Sequence, residues 1–324
     1  MFLRILSGPA LRAALPMPAA IEAARDAFTQ RALGQADAPL RLALSSPQGS
    51  LLCMPGYLAG TPALALKVVA IFPQNPSLGL PMISGLAVLF DAQTGQPRAV
   101  LDGGTLTALR TGAATGLATD LLARPESRVA ALFGAGAQAY DQIAGVRAVR
   151  PIGQVRLRSL DPRRSESLAE RLRAEGLDAR RVEGAPLALQ GADIVLCATT
   201  SRAPLFANAD VPDGAHINAI GAYTPEMQEV PPETVARARV VVDDREAALA
   251  EAGDLLKPLA EGVVGSDVFE TSLGDLILGR AIGRRAAGEI TLFKSVGLAA
   301  QDVAAAAHAL QRAEAEGIGT VVEL

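Results

Sequence analysis

One stretch, residues 127–139, limits the fold of this chain more than any other: Ser-Arg-Val-Ala-Ala-Leu-Phe-Gly-Ala-Gly-Ala-Gln-Ala. Residues 129–133 form a short apolar run, enough for one buried strand, and run directly into Gly134-x-Gly136-x-x-Ala139. A strand that ends in glycines and opens a helix turns backbone N–H groups and a positive helix end toward a pyrophosphate. Gly134 permits the tight turn, Gly136 lets the backbone approach the phosphates, and Ala139 lets the helix lie close on the strand. The glycine pattern alone is weak. The strand before it and the helix formers after it favour a dinucleotide site over an ordinary strand–turn–helix corner.

The texture of the chain changes near residue 127. Beyond it, strands and helices alternate: strands at 129–133, 154–159, 194–198, 216–220 and 239–242, and helices from 136 and over 164–175. That alternation predicts a Rossmann-type, doubly wound parallel sheet. Before it, a helix over 18–28 precedes strand-like segments at 40–44, 50–54, 63–72 and 85–91, separated by Pro/Gly/Asn turns. These read as antiparallel strands. A long helix is expected over 105–123 and a final Ala-rich helix over 299–316. The fold class is therefore α/β with an additional α+β domain. The expected boundaries are 1–115 with 296–324 for substrate binding and dimerisation, and 116–295 for the dinucleotide.

Composition narrows the function. A net charge of −4 gives no electrostatic case for nucleic acid. Two cysteines, Cys53 and Cys197, cannot form a disulfide framework in a chain of 324 residues, and no Cys/His spacing points to a metal. Cys197, in an apolar run, reads as a core residue. No apolar run approaches the roughly 18 residues of a membrane span. The N-terminal apolar segment is broken by Arg4, Pro9, Arg12 and Pro16, unlike a signal peptide. A cytoplasmic protein is expected.

The residues after the second strand bear on the cofactor. A NAD site places an acid at that strand's end. Here the strand is read as ending at Ser159, with Arg163 and Arg164 just beyond, where guanidinium forks would suit a 2′-phosphate. NADP(H) is therefore preferred. NAD(H) stays possible, because a strand two residues longer would put Asp161 in the acidic position.

Three cations lie on apolar elements. Lys67 is inside the run 63–71, Arg41 stands between Leu40 and Leu42, and Arg110 is on the glycine-bearing helix. Burying such charges is costly unless they are paired. With no run of acids nearby in the sequence, they suggest a site for a carboxylate.

These cations belong to a larger set of motifs: Lys67-Val-Val-Ala-Ile-Phe-Pro-Gln-Asn-Pro-Ser-Leu-Gly-Leu-Pro81, Leu101-Asp-Gly-Gly-Thr-Leu-Thr-Ala-Leu-Arg-Thr111, Gly134-Ala-Gly-Ala-Gln-Ala139, Gly214-Ala-His-Ile-Asn-Ala-Ile-Gly221 and Ile290-Thr-Leu-Phe-Lys-Ser-Val-Gly297. In this order, over nearly the whole chain, they resemble the ornithine cyclodeaminase / mu-crystallin family. The resemblance implies that Arg41, Lys67 and Arg110 hold the substrate carboxylate. It implies cofactor contacts at Thr111, at Gly134, Gly136, Ala137 and Gln138, and at Ser159, Arg163 and Arg164. Thr199, Thr200 and Ser201 should lie along the nicotinamide, with Ile220 and Ser295 close by. A homodimer joined through the N-terminal strands is also implied.

Two departures separate the activities within that family. Ornithine cyclodeaminases carry an Asp where this chain has Tyr223, and a Glu where it has Leu52. An ornithine ammonium would meet a phenol and an alkyl group. Tyrosine, with an unperturbed pKa of about 10, does not replace a carboxylate near neutral pH. Leu52, Met54, Met82 and Tyr223 suit an apolar ring instead. The elements Phe293-Lys-Ser295 and Gly221-Ala-Tyr-Thr-Pro225 resemble the ketimine-reductase branch and its bacterial Δ1-pyrroline-2-carboxylate / Δ1-piperideine-2-carboxylate reductases. That likeness implies hydride reduction of a cyclic imino acid to L-proline or L-pipecolate, with a proton arriving with the substrate or from Lys67. Ornithine cyclodeaminase, L-alanine dehydrogenase and a non-enzymatic, mu-crystallin-like binding protein are the alternatives. Glu229 is a further candidate proton donor, or an ordinary helix-start acid; His216 and His308 read as structural.

Overall fold

The structure is a computed structural model in which residues 2–61 and 63–323 are described; the terminal residues of the expected domains, Met1 and Leu324, lie outside these. The chain divides into two compact units. One is formed by the chain up to Ala113 with the segment from Leu298 onward, the other by Ala114–Gly297.

The first unit begins with β1 (Phe2–Leu6), α1 (Gly8–Ala14) and α2 (Met17–Ala32). Pro18 sits in the first turn of α2, where its missing N–H costs nothing, and Ile21, Ala24 and Phe28 are buried at helical spacing. Strands β2 (Ala36–Asp37), β3 (Leu42–Ser45), β4 (Ser50–Leu58), β5 (Ala63–Ile71), β6 (Ile83–Asp91) and β7 (Pro97–Asp102) follow and pair antiparallel among themselves, while β7 pairs parallel with β1. Strand β7 lies outside the strand-like segments that the sequence pattern marks. The boundary between the units falls within α3 (Gly103–Leu122). This helix begins two residues earlier than its pattern suggests, because the Asp102 carboxylate accepts the Thr105 N–H at 2.7 Å and caps the first turn.

The second unit contains β8 (Val129–Phe133), α4 (Ala139–Val149), β9 (Gln154–Arg158), α5 (Pro162–Ala174), β10 (Asp178–Arg181), α6 (Ala185–Leu189), β11 (Ile194–Cys197), β12 (His216–Ala219), α7 (Pro232–Arg237), β13 (Arg239–Val242), α8 (Arg245–Glu251), α9 (Gly253–Ala260), α10 (Leu273–Ile277) and β14 (Thr291–Lys294). Its seven strands run parallel in the order β10-β9-β8-β11-β12-β14-β13. The winding reverses between β8 and β11, the crevice where doubly wound sheets bind ligands. Ile143 and Val146 of α4 pack with Leu132, Val155, Leu157 and Leu196 in the core.

The chain re-enters the first unit as α11 (Ala299–Glu316) and β15 (Thr320–Glu323). The completed sheet has the order β15-β1-β7-β6-β5-β4-β2, with β3 also on β4. Helix α11 covers one face. The approach at Gly56 is close enough that a Cβ there would stand 2.9 Å from Val303 Cγ2 and 3.0 Å from Ala299 Cβ. The opposite face carries cross-strand rows of apolar residues, such as Leu42, Cys53, Val68 and Leu86, and Pro55, Leu66, Val88 and Val100. Leu42 and Leu86 are more than half exposed.

Candidate active site

In the first unit, Lys67 lies on the helix-covered face of β5, opposite Met54 on one neighbouring strand and Ala87 on the other. It is 1% exposed. Its Nζ stands 2.8 and 2.7 Å from the two carboxylate oxygens of Asp302, on the first turn of α11. Arg110, buried on α3, places Nε 3.3 Å from Asp302 Oδ1 and donates from a terminal nitrogen to Gln301 Oε1 at 3.1 Å. Arg41 falls one residue before β3 rather than within it, and still acts on Lys67 through its charge. Burial lowers the Lys67 pKa to about 8; the Asp302 carboxylate opposes that shift, and Arg110 and Arg41 add to it.

Two of the three cations, Lys67 and Arg110, therefore have an acid beside them, against the expectation from the sequence. Asp302 was missed because it is 235 residues from Lys67 in the chain. The available signal was an acid among the alanines of a buried helix face. Leu52 shares the Lys67 side of the sheet, two residues from Met54. Met82, 40% exposed, closes the β5–β6 hairpin through its carbonyl, which accepts from Phe72 N–H. The Thr111 hydroxyl donates to the Thr107 carbonyl one turn back in α3.

In the second unit, the remaining candidates lie in loops at the carboxyl ends of the parallel strands. Gly134 follows β8 with φ +101°, and a Cβ on it would fall 2.5 Å from the Ala198 carbonyl oxygen. Only glycine fits there. A Cβ on Gly136, by contrast, would meet nothing within 4 Å, and the first turn of α4 has no side-chain cap. An open backbone cradle beside uncapped N–H groups fits a pyrophosphate. Ala137 and Gln138 complete the turn into α4.

Strand β9 ends at Arg158, one residue before the expected Ser159. Asp161 is thus not the strand-end acid. It caps α5, accepting the Arg163 and Arg164 N–H groups at 3.0 and 3.3 Å. The side chains of Arg163 and Arg164 are exposed.

Thr199, Thr200 and Ser201 follow β11, Ile220 follows β12, and Ser295 follows β14. Two buried acids fix these loops. Glu229 accepts the Thr199 N–H and hydroxyl on one oxygen (2.6 and 2.7 Å), and the Gly221 and Ala222 N–H groups on the other (2.8 and 3.0 Å). Asp243 accepts the Ser295 hydroxyl and the Val296 and Gly297 N–H groups, all within 2.8 Å. The backbone at Glu229 is itself held by Asp254, which pairs with Lys294 at 2.8 Å. Burial, aided by Asp254, pushes the Glu229 pKa up to about 7, while Lys294 and Thr199 pull it down. Glu229 precedes α7 by three residues and is fully buried among donors. It does not stand at a helix start, and its oxygens are occupied by the donors that fix these loops.

Tyr223 is half-buried in the loop after β12. His216 is buried with its pKa lowered to about 3 by that burial, and its Nδ1 lies 2.9 Å from the Thr291 hydroxyl; this is a structural role. Among the described residues no cluster of His, Cys, Asp and Glu could hold a metal, and no helix is long and apolar enough to cross a membrane.

Comparison with known proteins agrees with this geometry. A Δ1-pyrroline-2-carboxylate reductase of Bacillus cereus is 38% identical over 289 residues, 88% of this chain and 89% of the relative. The structure of Thermococcus litoralis Δ1-pyrroline-2-carboxylate reductase in complex with NADH and L-proline superposes with a TM-score of 0.94 at 38% identity, covering 98% of this chain and 99% of that one. An archaeal alanine dehydrogenase dimer with bound NAD gives 0.93 at 35% identity, with both chains fully covered. The model of the ornithine cyclodeaminase/mu-crystallin family matches residues 8–317, and the chain belongs to that family.

Proposed function

We propose that the chain is an NAD(P)H-dependent reductase of cyclic imino acids, converting Δ1-pyrroline-2-carboxylate to L-proline and Δ1-piperideine-2-carboxylate to L-pipecolate. The carrying observation is the buried Lys67–Arg110–Asp302 cluster beside Met54 and Leu52. The charges of Lys67, Arg110 and Arg41 act together at this cluster, and cations so placed suit a substrate carboxylate. Asp302 already faces two cations, Lys67 and Arg110, which disfavour a third, an ornithine ammonium, beside it. The names of the relatives support the same chemistry.

Arg41 and Arg110 clamp the carboxylate, and guanidinium forks allow bidentate contact. The reduced nicotinamide, when bound, supplies a hydride to C2 of the ring. The C=N π pair then moves onto nitrogen, which takes a proton from the Lys67 ammonium. Lys67 is left as a neutral amine and recovers its proton from water. A lysine with a pKa of about 8 is well matched to this exchange near neutral pH.

Gly134, Gly136, Ala137 and Gln138 are assigned to the pyrophosphate. Ser159, Arg163 and Arg164 are assigned to the adenosine end, with NADP(H) preferred because the second strand ends without an acid. Thr199, Thr200, Ser201, Ile220 and Ser295 are assigned to the nicotinamide end. The exposed apolar sheet face of the first unit is assigned to a second copy of this chain, supported by the dimeric alanine dehydrogenase relative.

The test is absorbance at 340 nm with NADPH and each imine, beside NADH, and beside L-ornithine with NAD. NADPH loss with the imine and no proline from ornithine is expected. Proline and ammonia formed from ornithine would overturn the assignment.

A further inference from the structure

We propose that Asp302 is the positioning residue of the reduction, fixing where Lys67 presents its transferable proton. The inference rests on the reductase reading above. A lysine side chain is long and freely rotating, and its ammonium has three equivalent donors. Here Nζ donates to Asp302 Oδ1 at 2.8 Å and lies 2.7 Å from Oδ2, so the carboxylate anchors the ammonium from one side and sets the direction of its other donors.

Asp302 is itself held rigidly. It stands on the first turn of α11, where the helix presses on β4 at Gly56 through Ala299 and Val303. The adjoining Gln301 takes part as well: its Oε1 accepts the Leu298 N–H at 2.9 Å and a donor from Arg110 at 3.1 Å. One turn of α11 thus organises both the proton-bearing lysine and one arm of the carboxylate clamp.

The charges facing Lys67 are Asp302 from α11, Arg110 from α3 and Arg41 from the segment before β3. Two of the three repel the ammonium. Asp302 offsets them and favours recovery of the proton after each turnover. Without it, Lys67 should lose its proton at lower pH. An opposite charge at this distance moves a pKa by about 1–3 units.

The experiment is the pH profile of kcat/KM for Δ1-pyrroline-2-carboxylate with NADPH in the intact protein, wild type against Asp302→Asn and Asp302→Glu. Wild-type activity is expected to fall as pH rises through about 8. In Asp302→Asn that limb should move down by about one pH unit or more, with kcat at least tenfold lower. Asp302→Glu keeps the charge and displaces it by a methylene. It should keep the limb in place and lose kcat with little change in KM, and it remains informative if the asparagine variant does not fold. A wild-type protein inert toward the imine refutes the reductase reading itself. An active wild type whose variants lose only melting temperature, with unshifted limbs and wild-type kcat, refutes the role of Asp302.

Discussion

Glu229→Gln is the sharpest test of how the second unit builds its carboxyl-end loops. The native carboxylate accepts four hydrogen bonds, two on each oxygen, and is fully buried. A glutamine has one oxygen and one NH2. With its NH2 toward Gly221 and Ala222, two backbone donors face a donor. With its NH2 toward Thr199, the Thr199 hydroxyl can turn to accept, and one backbone N–H is orphaned. The second orientation is the better, and an orphaned buried donor costs about 1–3 kcal/mol. The three bonds that remain lose their charge assistance, roughly 1 kcal/mol each. Relief from burying a carboxylate whose pKa is already raised offsets part of this. The balance is a loss of about 3 kcal/mol. For a unit of this size that lowers its melting transition by about 6–12 °C. The assay is thermal unfolding followed by circular dichroism at pH 8, where the wild-type group is mostly ionised. The penalty should grow toward pH 5: a carboxyl whose folded pKa is raised stabilises the wild type as it takes up its proton below about 7, and glutamine does not titrate. A shift under about 2 °C at pH 8, or the same shift at both pH values, would refute the argument.

Gly134→Ala forces a Cβ into the Ala198 carbonyl at a positive φ, so NADPH affinity by fluorescence titration should fall at least about tenfold; wild-type affinity would remove Gly134 from the cofactor site. Arg163→Ala with Arg164→Ala should raise the KM for NADPH about tenfold and leave that for NADH unchanged; equal effects on both cofactors would refute a 2′-phosphate contact. Leu42→Asp puts a charge on the exposed apolar face, at a position 59% exposed in the single chain. Light scattering should then show monomers in place of dimers, with little loss of stability; an unchanged mass would move the interface elsewhere.

What the sequence revealed about this fold was local. The run 299–316 is helical over the span its alanines suggest, and β13 occupies 239–242 as its valines suggest, because periodicity and propensity act within a few residues. The glycine cradle was readable for the same reason. Strand β1 was not, because it is defined by pairing with β7 and with β15, whose Glu323 lies opposite Phe2. Short edge segments carry little pattern of their own. Helix α3 starts two residues before its expected start, where Asp102 caps it, and strand β9 stops one residue before its expected end, ahead of the Asp161 cap of α5.

The acids that organise the candidate site were illegible for the reason that makes them consequential. A buried lysine needs a partner, but the partner is chosen by tertiary packing and not by spacing. Lys67 reaches Asp302 across the length of the chain, and Lys294 reaches Asp254 across 40 residues. In both cases the acid sits buried in the first turn of a helix among small or apolar residues: Ala299 and Ala305 share the face of Asp302, and Gly253 and Leu255 flank Asp254 in the chain. An acid near a helix start is favoured by the dipole and attracts no notice in a sequence. On an apolar face it should attract notice, because a carboxylate buried there needs a cation or several hydrogen-bond donors. A lysine inside a hydrophobic strand is therefore a reason to search the chain for an acid on a buried helix face. In this protein that search would have led from Lys67 to Asp302.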